Sequence, residues 1–208
     1  MTELKQSKVS VIGLGYIGLP TALTIANTGT FNVLGIDTNI EIVETLRSGA
    51  THFDEPGINE LLTYVLDSGD FHVGTELEES DVFIICVPTP VLAAENIPEP
   101  DLKYVEEAVS SISRVVRSTD TIILESTCPV GSTLKVATLL QTNGIETADL
   151  AIGYCPERVL PGNILSELRE NDRLVGGLND TSTKVIADFY RSFVSGKVFE
   201  TDSKTAEM

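Results

Sequence analysis

Three glycines, Gly13, Gly15 and Gly18, sit within KVSVIGLGYIGLPTALTIA, between a short apolar run and a helix-like run. At this spacing the first permits a tight turn. The second leaves the backbone bare for a pyrophosphate, and the third lets the following helix press on a sheet. Amides exposed at the helix start, with its dipole, then face the phosphates. Alone, the triplet also fits a purely structural turn. Asp37 adds specificity: it closes VLGID nineteen positions after Gly18, where a carboxylate takes the ribose hydroxyls of an adenosine. The same carboxylate repels a 2′-phosphate, and DTNIE supplies no adjacent Arg or Lys, so the pattern favours NAD over NADP. Asp37 also suits a cap for the helix at NIEIVETL, a role compatible with the first.

Three further stretches place polar chemistry after apolar runs: Cys86-Val87-Pro88-Thr89-Pro90, Glu125-Ser126-Thr127-Cys128-Pro129, and Tyr154-Cys155-Pro156-Glu157-Arg158. Prolines fix the course of such loops, while Ser and Thr hydroxyls bond phosphate, ribose or water. Any one of them reads as a rigid turn. Three beside a dinucleotide loop read as a site.

These residues need a scaffold, and the apolar text supplies one. KVSVIG, FNVLGID, DVFIICVP, TIILEST and LAIGYCP are Val- and Ile-rich runs of strand length, as in a sheet buried on both faces. Between them lie helix-like TALTIANTG, NIEIVETLRSG, GINELLTYVLDSG, DLKYVEEAVSSISRVVR and STLKVATLLQTNG, several ending in glycine. In the fourth, Leu102, Val105, Val109, Ile112 and Val116 mark one buried face. RLVGGLND, TSTKVIADFYRSFV and KVFET add a strand, a helix and a strand, and TDSKTAEM starts a helix capped at Thr201, Asp202 or Ser203. The alternation predicts an α/β fold, a Rossmann-like doubly wound parallel sheet with helices on both faces.

The bulk numbers narrow the function. With 31 acidic against 14 basic residues the net charge is −17, which disfavours nucleic acid as a partner. Three cysteines without ligand spacing and two histidines in no motif predict neither a disulfide framework nor a metal site. No run approaches the ~20 apolar residues that span a bilayer. MTELKQSKVSVIG lacks signal-peptide architecture, so no membrane and a cytoplasmic location are expected.

GLGYIGLP, VPTP followed by PEPDL, ESTCPVGST and YCPERVLPG together resemble the nucleotide-sugar 6-dehydrogenases, typified by UDP-glucose dehydrogenase. PERVLPGN with NDRLVGG and SKTAEM is most similar to the UDP-N-acetylmannosamine dehydrogenase branch. The resemblance implies oxidation of a UDP-sugar C6 alcohol to an aldehyde, an enzyme thioester and finally the carboxylate, reducing two NAD⁺. It places Tyr16, Ile17, Val87, Pro88, Thr89 and Thr127 around the cofactor with the glycines and Asp37. Thr127 would also hold the catalytic water, and Glu157 would perform acid–base work near C6, unless it is only an exposed loop acid. Arg158 and Arg173 are candidates to compensate the pyrophosphates. The second loop acid of glucose-type members has no counterpart, since Pro161 and Gly162 occupy that stretch.

The family's nucleophilic cysteine, in a Gly- and His-containing motif of a second domain, is not in this text, nor are the Lys and Asn that would follow SKTAEM. The expectation is therefore an NAD-binding domain over 1–200 and the start of a connecting helix over 201–208, binding NAD without turnover. A full-length enzyme would be a homodimer or larger. Cys128, with no adjacent His or Lys to make its thiolate, reads as structural, and Cys86 and Cys155 as core. The alternatives are an NAD(H)-sensing module and the cofactor domain of a 3-hydroxyacyl-CoA or 6-phosphogluconate dehydrogenase.

Overall fold

The computed structural model describes residues 7–92 and 99–208. Residues 1–6 of the opening segment and Pro98 of PEPDL lie outside that description.

The chain alternates strands and helices almost throughout. β1 (Ser7–Ile12), α1 (Gly18–Ala26), β2 (Phe31–Ile36), α2 (Ile40–Arg47), α3 (Ile58–Ser68), β3 (Phe71–Gly74) and β4 (Val82–Ile85) form the first half. A short antiparallel pair, β5 (Val91–Leu92) and β6 (Glu99–Pro100), precedes α4 (Lys103–Ile112). Then follow β7 (Thr121–Leu124), α5 (Ser132–Thr142), β8 (Ala151–Tyr154), α6 (Ile164–Glu170), β9 (Arg173–Gly177), α7 (Asp180–Arg191), β10 (Val198–Asp202) and α8 (Ser203–Glu207). The main sheet runs β10-β9-β8-β7-β4-β1-β2-β3. Strand order therefore reverses between β1 and β4, and in such sheets a crevice opens beyond the carboxyl ends there.

The apolar strands are buried on both faces, as their composition predicts. Val9, Val11, Val82, Ile84 and Ile123 join one core with α1, α3 and α7. Ile12, Phe83, Ile85, Ile122 and Leu124 join the other with α4 and α5. α1 is buried along its whole length. α4 presents Val105, Ala108, Val109 and Ile112 to the core but closes at Ile112, a turn before Val116. Asp202 caps α8, accepting from the Thr205 amide at 3.1 Å.

The sheet departs from the fully parallel expectation at one pair. β9 runs antiparallel to β8, with Gly153 opposite Gly177 and Tyr154 opposite Gly176. The connection between them, residues 155–172 with α6 inside it, does not carry the chain to the opposite edge of the sheet. The chain re-enters from the carboxyl edge instead, so Arg173, the first residue of β9, stands at that edge. β3 and α6 lie outside the segments that the sequence pattern marks as elements. Both are short, and β3 is an edge strand with His72 exposed.

Candidate functional site

The glycine loop starts where the Gly13 amide donates to Ile36 O at 2.8 Å, tying β1 to the end of β2. Gly13 has φ +91°, and a Cβ there would lie 2.8 Å from Cys86 O. A Cβ on Gly18 would lie 1.8 Å from Gly13 O, so only glycine lets α1 start this close to the loop. A Cβ on Gly15 would meet nothing within 4 Å. Gly15 thus faces open space at the head of α1, a cradle in which a phosphate can reach the backbone.

Asp37 is wired into this loop. Its Oδ2 accepts from the Leu14 amide at 2.9 Å and its Oδ1 from the Asn39 amide at 2.9 Å. Each oxygen keeps a second lone pair for a ribose hydroxyl. The cap of α2 is Asn39, which accepts from the Glu41 amide at 2.9 Å; Asp37 supports that cap from outside the helix.

From Asp37 a cleft of about 880 Å³ extends past the glycine loop to the ends of β4, β7 and β8. Gly13, Gly15, Tyr16, Ile17, Asp37, Val87, Pro88, Thr89, Thr127 and Glu157 all border it; Gly18 lies behind, against Gly13. The two loops at its far side are cross-tied. Thr89 Oγ1 donates to Thr127 O at 2.5 Å, and Ser126 Oγ donates to Val87 O at 2.7 Å.

Glu157 is no exposed loop acid: its side chain is 3% exposed and forms an ion pair with Arg173, itself 3% exposed. Arg173 Nη2 donates to Leu168 O at 2.8 Å, and its guanidinium lies 5.6 Å from the Tyr190 ring centroid. Arg158 and Arg173 border a second, smaller crevice that shares Glu157 with the main cleft, so neither faces the glycine loop. The antiparallel entry of β9 brings Arg173 to Glu157 instead.

Several site-forming groups owe their surroundings to residues far along the chain. Glu125, buried yet bordering the cleft, accepts from Thr21 Oγ1 at 3.0 Å and Tyr190 Oη at 2.7 Å. Burial pushes its carboxyl up, against the pull of Arg173 and both hydrogen bonds. Glu55, also buried, accepts from the Gly162 amide at 2.8 Å, the Ile164 amide at 2.9 Å and Tyr16 Oη at 3.2 Å. It thereby joins the glycine loop to the loop that carries Glu157. Glu207 accepts from the Gly131 amide at 2.6 Å and the Thr133 amide at 2.7 Å, so α8 supplies the anionic cap that α5 lacks in its own first turn.

The thiols are held protonated. Burial raises Cys128 above its ordinary value, and hydrogen bonds with Ser132 and Tyr154 oppose the rise only in part. Burial pushes Cys86 far up and Cys155 up to about 12. A thiolate nucleophile therefore has no support at Cys128. Among the described residues no cluster of three or more His, Cys, Asp or Glu could hold a metal ion, and no helix is long and apolar enough to cross a membrane.

Residues 7–194 match the NAD binding domain of the UDP-glucose/GDP-mannose dehydrogenase family. The chain is 46% identical over 202 residues to the UDP-N-acetyl-D-mannosamine dehydrogenase of Methanococcus aeolicus, an alignment covering 97% of this chain and 45% of that protein. Among solved structures, the UDP-N-acetyl-mannosamine dehydrogenase of Staphylococcus aureus superposes with a TM-score of 0.92 at 42% identity, covering 97% of this chain and 48% of that one. The UDP-D-ManNAc dehydrogenase of Pyrococcus horikoshii gives 0.90 at 40% identity, covering 96% and 48%. The chain spans about half the length of the relatives it matches.

Proposed function

The chain belongs to the UDP-glucose/GDP-mannose dehydrogenase family, whose NAD binding domain it carries, and we propose that it is the cofactor half of an enzyme that oxidises the C6 alcohol of UDP-N-acetylmannosamine to the carboxylate. The observation behind this reading is a single cleft with Asp37 and the glycine loop toward one end and Thr127 and Glu157 toward the other. Bound there, NAD⁺ supplies the hydride acceptor, two equivalents being needed for the four-electron change.

In this proposal Asp37 takes the adenosine ribose, while the bare Gly15 backbone and the head of α1 take the pyrophosphate. Val87, Pro88 and Thr89 line the far side, where Thr127 and Glu157 hold a water and move its proton. Residues 1–200 act as the cofactor unit, and 201–208 begin the helix that connects it to a substrate-binding unit. The thioester-forming cysteine belongs to sequence outside these 208 residues, in keeping with three thiols held protonated here. The complete enzyme works as a homodimer or larger assembly.

The test is stoichiometry in the full-length protein. UDP-N-acetylmannosamine should give two NADH for each uronate formed, at a higher kcat/KM than UDP-glucose. One NADH per sugar, or preference for UDP-glucose, refutes the assignment.

A further inference from the structure

Glu125 is the buried acid for which the reading above has no use. It is 3% exposed, it borders the cleft, and both of its oxygens accept hydrogen bonds. An ionised Glu125 satisfies both hydroxyls by accepting from each. The groups that face it come from every element packed around it. They are Thr21 on α1, Tyr190 on α7, Arg173 on β9, Cys86 after β4 and Cys155 after β8. Of these only Arg173 is charged, because both thiols and the phenol are held protonated.

Arg173 is also the ion-pair partner of Glu157, which borders the same end of the cleft. One guanidinium therefore serves two carboxylates, and that end carries one negative charge in excess. With the adenosine ribose on Asp37 and the pyrophosphate on the glycine loop, the nicotinamide comes to rest at this end. Its ring is cationic in NAD⁺ and neutral in NADH.

We propose that Glu125 determines specificity for the redox state of the cofactor, its uncompensated carboxylate favouring the cationic ring of NAD⁺ over the neutral ring of NADH. The inference rests on the cofactor placement proposed above. It also suits a reaction that consumes two NAD⁺ in turn. The attraction exists while the ring is charged and vanishes once a hydride has been accepted, so the reduced cofactor leaves and the next oxidised one enters.

Titration of the full chain with NAD⁺ and with NADH, by calorimetry and by NADH fluorescence, tests this. Glu125→Gln keeps the shape and removes the charge. The affinity for NAD⁺ is expected to fall ~10-fold while that for NADH changes little, the scale set by one charge at several ångströms in a protein-like dielectric. An equal loss for both cofactors would assign Glu125 a packing role and overturn the proposal, as would no loss for either. Should the variant not fold, the unaltered chain decides. As pH rises through the range to which burial lifts Glu125, its ionisation should raise the affinity for NAD⁺ and leave that for NADH flat. Parallel responses of the two cofactors refute the idea. Failure of the unaltered chain to bind either cofactor would instead bring down the placement on which the proposal stands.

Discussion

Arg173 closes an ion pair with Glu157 in which both side chains are 3% exposed. The pair sits where β9 enters from the carboxyl edge, and the guanidinium also holds Leu168 O and lies over Tyr190. Removing one partner of a buried pair strands the other, at a cost of about 3–5 kcal/mol. Arg173→Ala should therefore lower the unfolding free energy in urea by that amount. Arg173→Ala combined with Glu157→Ala should cost clearly less than the sum of the two single changes. Strict additivity would mean that the two side chains do not depend on each other.

Asp37 gives a prediction about cofactor choice. Its carboxylate is organised by the Leu14 and Asn39 amides, leaving lone pairs for the ribose. Calorimetry should show tighter binding of NAD than of NADP. Asp37→Ala should weaken NAD binding by about 1–3 kcal/mol, the scale of hydrogen bonds to a charged group. Because Asp37 also shapes the loop, Asp37→Asn should retain the fold and lose most of the discrimination. Equal affinities in the unaltered chain would remove Asp37 from the ribose site.

The contrast between Asp37 and Glu125 shows what the sequence could reveal. Glycine spacing and a strand-terminal acid report on a local βα turn, so Gly13, Gly15, Gly18 and Asp37 were legible from nearby residues alone. Glu125 gains its meaning from Thr21, 104 positions away, and from Tyr190, 65 positions away. Glu207 finds Gly131 across 76 positions. No local periodicity encodes such contacts: ESTCPVG marks Glu125 as part of a strand-end loop but not the partners it meets there. Arg173 reaches Glu157 through the direction of β9, which no local pattern encodes.

The protonated thiols, Cys155 buried and Cys86 and Cys128 partly so, predict both chemical inertness and alkaline sensitivity. Cys86, Cys128 and Cys155 are all held protonated, so iodoacetamide at pH 8 should leave the folded chain unlabelled over a time that fully labels it in urea. For Cys155 the folded value of about 12 lies above the ordinary 9.0, so between these values the native state retains a proton that the unfolded state releases. Stability must then fall as pH rises through that window. Urea midpoints measured upward from pH 8 should decline, and Cys155→Ala should remove part of the slope. Rapid labelling of Cys128 in the folded chain would reopen its candidacy as a nucleophile.

Glu55 clasps two loops, and its three donors differ in how easily they can be replaced. Gly162 and Ile164 present backbone amides, whereas Tyr16 contributes a hydroxyl half-exposed at the cleft. Glu55→Gln turns an acceptor toward a donor and should destabilise the chain by about 1–3 kcal/mol. Tyr16→Phe removes one hydrogen bond and should cost about 0.5–1.5 kcal/mol. A Glu55→Gln chain as stable as the original would show that the loop holds its course without the clasp.

The last prediction concerns proton transfer by Glu157 in the full-length enzyme. Its carboxylate borders the cleft together with Thr127 while its charge is shared with Arg173. Glu157→Gln retains the shape and removes the base, so kcat should fall by ~10²–10⁴-fold. Loss of the ion pair will also lower stability, so the assay must be run well below the unfolding midpoint, with the folded fraction verified. NAD affinity separates the two effects. Asp37 and the glycine loop are untouched by the change, so a Glu157→Gln enzyme that binds NAD normally but turns over slowly has lost chemistry, not structure. Thr127→Ala should slow turnover less, since the carboxylate can still position water alone. If Glu157→Gln leaves kcat near normal, the acid serves only to anchor Arg173 beneath the loop, and the proton at C6 is handled by residues outside this domain.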